Sequence, residues 1–209
     1  MWLPPLGSHP IQMDILNQDE LTKLGNNFNC VLVDPPWHVA TSSPTRGTTI
    51  SYSTLCDKDI GSIKLNLLGK NALFCIWAPV SKFQFVIEWG TRCGLRFRDV
   101  LTWVKLTNSG RKATMMGPIL LRCTEFCLIF ETLDPPETMI RGCALNLVEE
   151  GRGIQSEKPY EVYGVLERMF GENGRFLELF ARKNNLRKGW VSVGNEFNEL
   201  KVTEETKYV

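Results

Sequence analysis

Short apolar runs alternate with amphipathic segments along most of the chain. The apolar runs have the length and the aliphatic and aromatic content of buried strands, and they lie at 29–34, 71–78, 96–105, 123–131, 175–181 and 189–196. Hydrophobic residues at helical spacing predict helices at 19–24, 57–68, 81–93 and 160–170. Strands and helices in alternation are typical of one α/β sheet domain, with no repeat and no second hydrophobic core.

The polar segments divide the chain further. We predict an N-terminal extension at 1–28, a main domain at 29–197 and a polar tail at 198–209. Residues 38–51 are rich in Ser, Thr and Gly, which indicates a mobile loop. Because they directly follow the turn at the end of the first buried strand, we predict that this loop closes over a ligand. A brief extended segment is predicted at 12–15, and loops are predicted at 106–118 and 149–157.

The composition excludes several classes of protein. The 209 residues, 43% hydrophobic and 22% charged, are ordinary for a globular domain with a full core. No apolar run approaches the length of a membrane helix, and the N-terminus lacks the pattern of a signal peptide. The net charge of +1 means that a nucleic-acid partner would contact a local basic patch or be shared with a second protein.

The seven cysteines and two histidines do not form a metal-binding pattern. Cys123 and Cys127 are the only close pair, and no second Cys or His pair follows them. We therefore expect no metal. An odd number of cysteines without a secretory signal favours reduced thiols in the cytosol or nucleus.

The first buried strand ends in Asp34-Pro35-Pro36-Trp37. The prolines cannot donate to a sheet ladder, so they end the strand and leave Asp34 at its carboxyl end, where open α/β sheets bind ligands. A carboxylate, two rigid carbonyl acceptors and an indole suit a planar ring that bears an amino group. The alternative is structural: a Pro-Pro turn with Trp37 filling the core.

A second Asp-Pro-Pro trio shows how little these three residues mean alone. Asp134-Pro135-Pro136 follows another strand, but Glu137 replaces the aromatic residue. We interpret this second trio as a structural turn.

Several spaced motifs resemble the methyltransferase-like (METTL) adenine N(6) methyltransferases, from about residue 13 to residue 197. Asp34-Pro35-Pro36-Trp37 resembles their catalytic motif, and the Lys158-Pro159 helix start resembles theirs. Further similar segments, in the same order, lie at 52–55, 103–105, 177–182 and 189–196.

The resemblance implies a Rossmann-like fold with a single, mostly parallel sheet flanked by helices, and S-adenosylmethionine as cofactor. It implies that Asp34 takes the adenine amine, that Pro35 and Pro36 supply the carbonyl, and that Trp37 supplies the stacking face. The N-terminal extension would contribute to the cofactor pocket. The positions that fall where the family contacts the cofactor are Asp14, Ile15, Asp34, Lys158, Arg182, Asn184, Asn185, Asn195 and Glu196. Two of them depart from the mRNA enzyme of the family, which has His at the position of Asn184 and Gln at that of Glu196.

We expect an active methyltransferase that acts on adenine in nucleic acid, in the nucleus, beside a degenerate methyltransferase-like partner subunit. The chain shows no zinc finger or RNA-binding module, which favours DNA as the substrate and the DNA-methylating branch found in ciliates. RNA methylation and an inactive scaffold subunit stay open as alternatives. The role of His38 is also open, between a loop residue and a base. Candidate phosphate contacts are Arg46, Arg111, Lys112, Lys183, Arg187 and Lys188.

Overall fold

A computed structural model describes residues 4–38, 54–153 and 157–197, and they form one large sheet with helices on both faces. The strands are β1 (His9–Gln12), β2 (Cys30–Val33), β3 (Leu73–Ala78), β4 (Arg96–Leu106), β5 (Met115–Met116), β6 (Leu121–Arg122), β7 (Thr124–Glu131), β8 (Leu147–Gly151), β9 (Phe176–Leu179) and β10 (Trp190–Gly194). The α-helices are α1 (Gln18–Lys23), α2 (Asp57–Ser62), α3 (Phe83–Arg92) and α4 (Tyr160–Phe170).

The main sheet is mostly parallel, as predicted. Its strand order is β1-β10-β9-β2-β3-β7-β4-β8, and β5 pairs with β6 in a separate two-stranded ribbon. Among the described strands of the main sheet, only β7 runs antiparallel to its neighbours, β3 and β4. The carboxyl ends of β1, β10, β9, β2 and β3 therefore meet at one edge of the sheet, and β7 ends at the opposite edge.

Two hydrophobic layers hold the helices against the sheet. On one face, α1, α2 and α3 pack Leu21, Ile60 and Trp89 against alternate residues of the strands. On the other face, α4 packs Val162 and Leu166 in the same way. No described helix has the length and apolar character needed to cross a membrane.

The predicted helix at 57–68 was wrong in its second half. Helix α2 ends at Ser62, because Ile63 adopts an extended backbone and its carbonyl accepts the indole N–H of Trp89 at 2.9 Å. A short 3-10 turn (Leu65–Leu67) then follows. A contact distant in sequence thus interrupts a pattern that is locally helical.

Two strand predictions also differ from the structure. The extended segment predicted at 12–15 lies three residues earlier in the structure, as β1 (His9–Gln12). The predicted loop at 149–157 overlaps β8, a charged edge strand that pairs in parallel with β4. Helix α4, by contrast, has the predicted bounds. The predicted tail and all of the predicted lid except His38 lie outside the described residues.

Candidate active site

Four parallel strands end around one cavity of about 250 Å³. The strands are β1, β2, β9 and β10, and the position fits the rule that ligands bind at the carboxyl ends of such strands. The cavity is lined by Gln12, Met13, Asp14, Ile15, Leu16, Asp34, Pro36, Leu55, Phe180, Ala181, Arg182, Asn195 and Glu196.

The backbone is unusually tight where β9 and β10 end. The Ala181 N–H donates to the Val193 carbonyl at 2.9 Å, and a Cβ on Gly194 would lie only 2.2 Å from the Ala181 carbonyl oxygen. Phe180, on the cavity wall, has φ 63°. A non-glycine residue in this conformation is strained, and residues with strained backbones are often found at functional sites.

Asp34 connects the cavity to an ion pair on its other side. Its carboxylate oxygen Oδ2 lies 2.8 Å from Lys158 Nζ, and its side chain is 18% exposed. Burial raises the pKa of Asp34, although the charge of Lys158 opposes this effect. Asp34 therefore holds a proton more readily than an ordinary aspartate.

A second carboxylate, Glu125, shares the same lysine and was missed by the sequence analysis. Its Oε2 lies 3.6 Å from Lys158 Nζ, and its other oxygen pairs with Lys105. Burial raises the pKa of Glu125, but the two lysines outweigh it and hold the pKa below its ordinary value. A charged residue directly before the apolar middle of the strand predicted at 123–131 was the available signal.

Lys158 lies on the ring face of Trp77, with its ammonium 5.2 Å from the ring centroid. Its side chain is only 10% exposed. Lys158 is not among the residues that line the cavity, but it contacts the carboxylate of Asp34, which is one of them. Its predicted role as a cofactor contact stays a prediction.

The proline carbonyls and Trp37 already have structural partners. The Pro35 carbonyl accepts the Trp37 N–H at 2.8 Å, and the Pro36 carbonyl accepts the Leu55 N–H at 2.9 Å. The two carbonyls predicted as acceptors for a ligand thus each accept one backbone N–H already, and each oxygen keeps a second lone pair. The Trp37 indole N–H donates to the Trp77 carbonyl at 2.8 Å, which fixes the ring beside the end of β3.

Five of the other predicted cofactor contacts line the cavity, and two do not. Asp14, Ile15, Arg182, Asn195 and Glu196 are lining residues. Asn184 is exposed, and Asn185 is buried and donates to Glu178 at 2.9 Å. The cofactor roles of these two positions stay predictions, but Asn185 has a structural role in the core.

The predicted phosphate contacts fall into different groups. Arg111, Lys112 and Lys188 are exposed, and Lys183 is partly exposed. Arg187 instead stacks on the Tyr160 ring at 4.2 Å and pairs with Glu167 at 2.9 Å, so it is engaged in the fold. Arg46 lies outside the described residues. His38 is exposed beside Trp37.

The chemistry of the cavity fits S-adenosylmethionine. Carboxylates at Asp14 and Glu196 suit ribose hydroxyls, and Arg182 suits the carboxylate of the amino-acid end. The apolar walls at Ile15 and Phe180 suit a purine ring. The described residues contain no group of His, Cys, Asp and Glu that could hold a metal ion.

Comparison with known proteins agrees with this chemistry. The MT-A70 family model matches residues 28–196. The chain is 28% identical to the N(6)-adenosine-methyltransferase MT-A70-like protein of Drosophila melanogaster over 93% of its own length and 30% of that protein. It is 25% identical to the human N(6)-adenosine-methyltransferase catalytic subunit METTL3, over 83% of this chain and 29% of that one.

A shorter relative matches along most of both chains. The type II methyltransferase M.MunI of Mycoplasma sp is 24% identical, over 86% of this chain and 82% of that protein. The chain thus spans less than a third of the MT-A70-like relatives reported above, but most of the length of this one.

Proposed function

The chain belongs to the MT-A70 family of adenine N(6) methyltransferases, which use S-adenosylmethionine as methyl donor, and from this premise we propose that it methylates the N(6) amine of adenine in nucleic acid. The observation that carries the proposal is the position of Asp34. The carboxylate of Asp34 lines the cavity that fits the cofactor, and it also pairs with Lys158 outside this cavity.

The proposed role of Asp34 follows from the electronic structure of the amine. The lone pair of an adenine amine is delocalised into the ring, so the nitrogen is a poor nucleophile. Asp34 accepts one amine N–H through Oδ1 while Oδ2 pairs with Lys158, and the second lone pair of the Pro36 carbonyl accepts the other N–H. These acceptors draw the nitrogen toward tetrahedral geometry, which localises its lone pair toward the cavity, by positioning and preorganised electrostatics.

The two carboxylates have different roles in this proposal. The bound cofactor supplies an electrophilic methyl group on a sulfonium. The methylated amine must then lose a proton, and Asp34, whose pKa is raised, accepts it more readily than Glu125, whose pKa is lowered. Glu125 stays charged and holds Lys158 in place. Because the amine must reach Asp34, the target base is unstacked or in a single strand.

We favour DNA as the substrate. Among the relatives reported above, the type II methyltransferase is matched along 82% of its own length, and its similarity to this chain supports DNA. The names of the longer relatives specify adenosine, a ribonucleoside, which supports RNA as the second candidate.

Transfer of labelled methyl groups to matched DNA and RNA oligonucleotides tests the substrate. We expect N(6)-methyladenine in the DNA, and an Asp34→Ala variant that binds the cofactor but transfers nothing. Faster transfer to RNA would reverse the choice of substrate. Absence of cofactor binding by calorimetry, with and without a partner subunit, would instead support the inactive scaffold.

An exposed apolar hairpin supports the proposal of a partner subunit. The segment that contains β5 and β6 exposes Met116 to 85%, Ile119 to 92% and Leu120 to 75%. Apolar patches of this kind mark protein interfaces, and the exposed residues Arg111 and Lys112 precede this one along the chain. We propose a methyltransferase-like partner here, with this chain as the active subunit of a heteromeric complex.

Charged substitutions in the hairpin test the partner proposal. A Met116→Glu/Ile119→Glu variant is expected to lose co-elution with a co-expressed methyltransferase-like subunit. An unchanged elution profile would place the interface elsewhere.

We propose the nucleus as the compartment of this protein. All seven cysteines lie in the described residues and none forms a disulfide, which fits a reducing compartment.

A further inference from the structure

A buried glutamate lies on β9, beneath the candidate active site. Glu178 is 1% exposed. A single oxygen, Oε1, accepts both the Tyr163 hydroxyl at 2.8 Å and the Asn185 side-chain amide at 2.9 Å. Glu178 thereby joins helix α4, which follows Lys158, to the turn that follows Arg182.

The other oxygen of Glu178 is buried without a partner. Within the described residues, Glu178 Oε2 makes no hydrogen bond, and neither does the buried Ser192 hydroxyl. Ser192 is the register partner of Glu178 on the neighbouring strand β10, so the two side chains share one face of the sheet. A buried carboxylate oxygen and a buried hydroxyl on the neighbouring strand, each without a hydrogen-bond partner, are costly in a protein core.

Asp34 lies on this same face. Glu178 is in register with Leu32 on β2, and Asp34 follows two residues later, where side chains return to the same side. The charge of Asp34 acts on both Glu178 and Tyr163. An ionised Glu178 would therefore be a second buried anion beneath Asp34.

We propose that Glu178 is a positioning residue that works as a neutral carboxylic acid: Oε1 holds Tyr163 and Asn185, and a proton on Oε2 donates toward the Ser192 hydroxyl. This inference rests on the proposed methyl transfer only for its effect on rate. In the neutral form, the face beneath Asp34 carries no competing anion, and Lys158 keeps its pairing with Asp34 and Glu125.

The surrounding groups favour the neutral form. Burial raises the pKa of Glu178 to about 7, and Asp34 raises it further, against the hydrogen bonds of Asn185 and Tyr163 and the charge of Lys158. Burial and Glu178 also raise the pKa of Tyr163, with Arg187 opposing, so the phenol stays a donor. Glu178 thus titrates near neutral pH, whereas an exposed glutamate would be ionised there.

Replacement by glutamine separates this proposal from its main alternative. Glutamine has the shape of the protonated acid, and its amide can donate to Ser192 as the acid would. If Glu178 instead acts as an anion that receives a proton during the reaction, glutamine would abolish that role.

Infrared difference spectroscopy tests the protonation state without any enzyme activity. We expect a C=O stretch of a protonated carboxylic acid in the wild type at about pH 6 that fades by about pH 9, and its absence in Glu178→Gln. A wild-type spectrum without that band would overturn the proposal, whether or not the chain methylates nucleic acid.

Rates across the same pH range test the consequence for the site. Glu178→Gln is expected to fold, to stay within about threefold of the wild-type kcat at neutral pH, and to lose less activity above about pH 8 than the wild type. Glu178→Ala is expected to lose at least about tenfold, because Tyr163 and Asn185 lose their acceptor. A glutamine variant that does not fold, or is as impaired as the alanine variant, would contradict a neutral acid.

Discussion

The chain carries two Asp-Pro-Pro trios, and the sheet gives them opposite surroundings. Asp34 follows β2, lines the cavity and pairs with Lys158 at 2.8 Å. Asp134 follows β7, is exposed, and uses its peptide carbonyl to accept the Thr132 hydroxyl at 2.7 Å. Because β7 is antiparallel to β3, the second trio lies at the edge of the sheet that faces away from the site. The direction of the preceding strand, rather than the trio, determines which one can bind a ligand.

Matched asparagine substitutions give the largest expected difference between the two trios. Asp34→Asn removes the carboxylate at the site and should lower kcat by about 100-fold to 1,000-fold, as for loss of one preorganised group. Asp134→Asn should change the free energy of unfolding by at most about 0.5 kcal/mol and leave the rate unchanged. Initial rates of labelled methyl transfer, with circular dichroism to check folding, measure both. Equal losses in the two variants would refute the distinction.

Glu178, on the buried face beneath the first trio, should make the stability of the protein depend on pH, and the second trio has no such effect. The pKa of Glu178 is raised from 4.5 to about 7, so the folded protein binds this proton more tightly than the unfolded chain. The stabilisation is fully present below about pH 4.5 and is lost as the pH rises through about 7, by about 3 kcal/mol in total.

Urea unfolding at a series of pH values measures this loss. Glu178→Gln cannot ionise, so its curve should lack the wild-type decline between about pH 4.5 and 7. Asp134→Asn should keep that decline, since it leaves Glu178 untouched. A wild type as stable at pH 8 as at pH 5, relative to the glutamine variant, would show that Glu178 is ionised in the folded state.

Sequence reasoning located the first trio well, because its signals are local. The apolar run before Asp34 and the prolines after it mark the end of a strand, and the spacing of apolar residues gives helix α4 its observed bounds. The sequence also separated the second trio correctly, from the missing aromatic residue. It could not show that β7 is reversed, because strand direction depends on pairing between distant segments.

The sequence could not predict the roles of the buried glutamates around the site, because their contacts also depend on pairing between distant segments. Glu125 reaches Lys158 only through the register of β7, and Glu178 meets Tyr163 only when α4 packs on β9. The charged strand β8 resembles a loop in composition, and it is held by its pairing with β4 along the sheet edge. These features depend on contacts that no short window of sequence contains.

Strand β8 stabilises the helix that follows Lys158, the partner of Asp34 in the first trio. Substitutions in this strand should therefore have a smaller effect on stability and rate. Helix α4 begins after Pro159, which has no side-chain cap, and the Glu150 carboxylate accepts the Tyr160 and Glu161 N–H groups at 2.8 and 2.9 Å. Glu150→Ala should cost about 1 kcal/mol in the free energy of unfolding, the usual value of a helix cap. It should also lower the rate by a few-fold, because Lys158 lies directly before this helix.

Glu149→Ala is the matched control for the cap. Glu149 lies on the same strand, is exposed and caps no helix in the described structure. Urea unfolding should therefore show a loss for Glu150→Ala alone. If both variants lose the same stability, the effect belongs to the charge of the strand rather than to the cap.

The smallest expected effect concerns the prolines that the two trios share. Pro36 and Pro136 each end in a carbonyl that accepts one backbone N–H, from Leu55 at 2.9 Å and from Met139 at 3.3 Å. Replacing either proline by alanine raises the conformational entropy of the unfolded chain, so each variant should lose about 0.4–1 kcal/mol in the free energy of unfolding. Only Pro36→Ala should also slow methyl transfer, by about two- to fivefold, because Pro36 lines the cavity and alanine holds its carbonyl, the proposed acceptor of the amine, less rigidly. Equal stability losses with unequal rates would separate what the trio contributes to folding from what its place in the sheet contributes to catalysis, and a rate loss in Pro136→Ala would show that the two edges of the sheet are coupled.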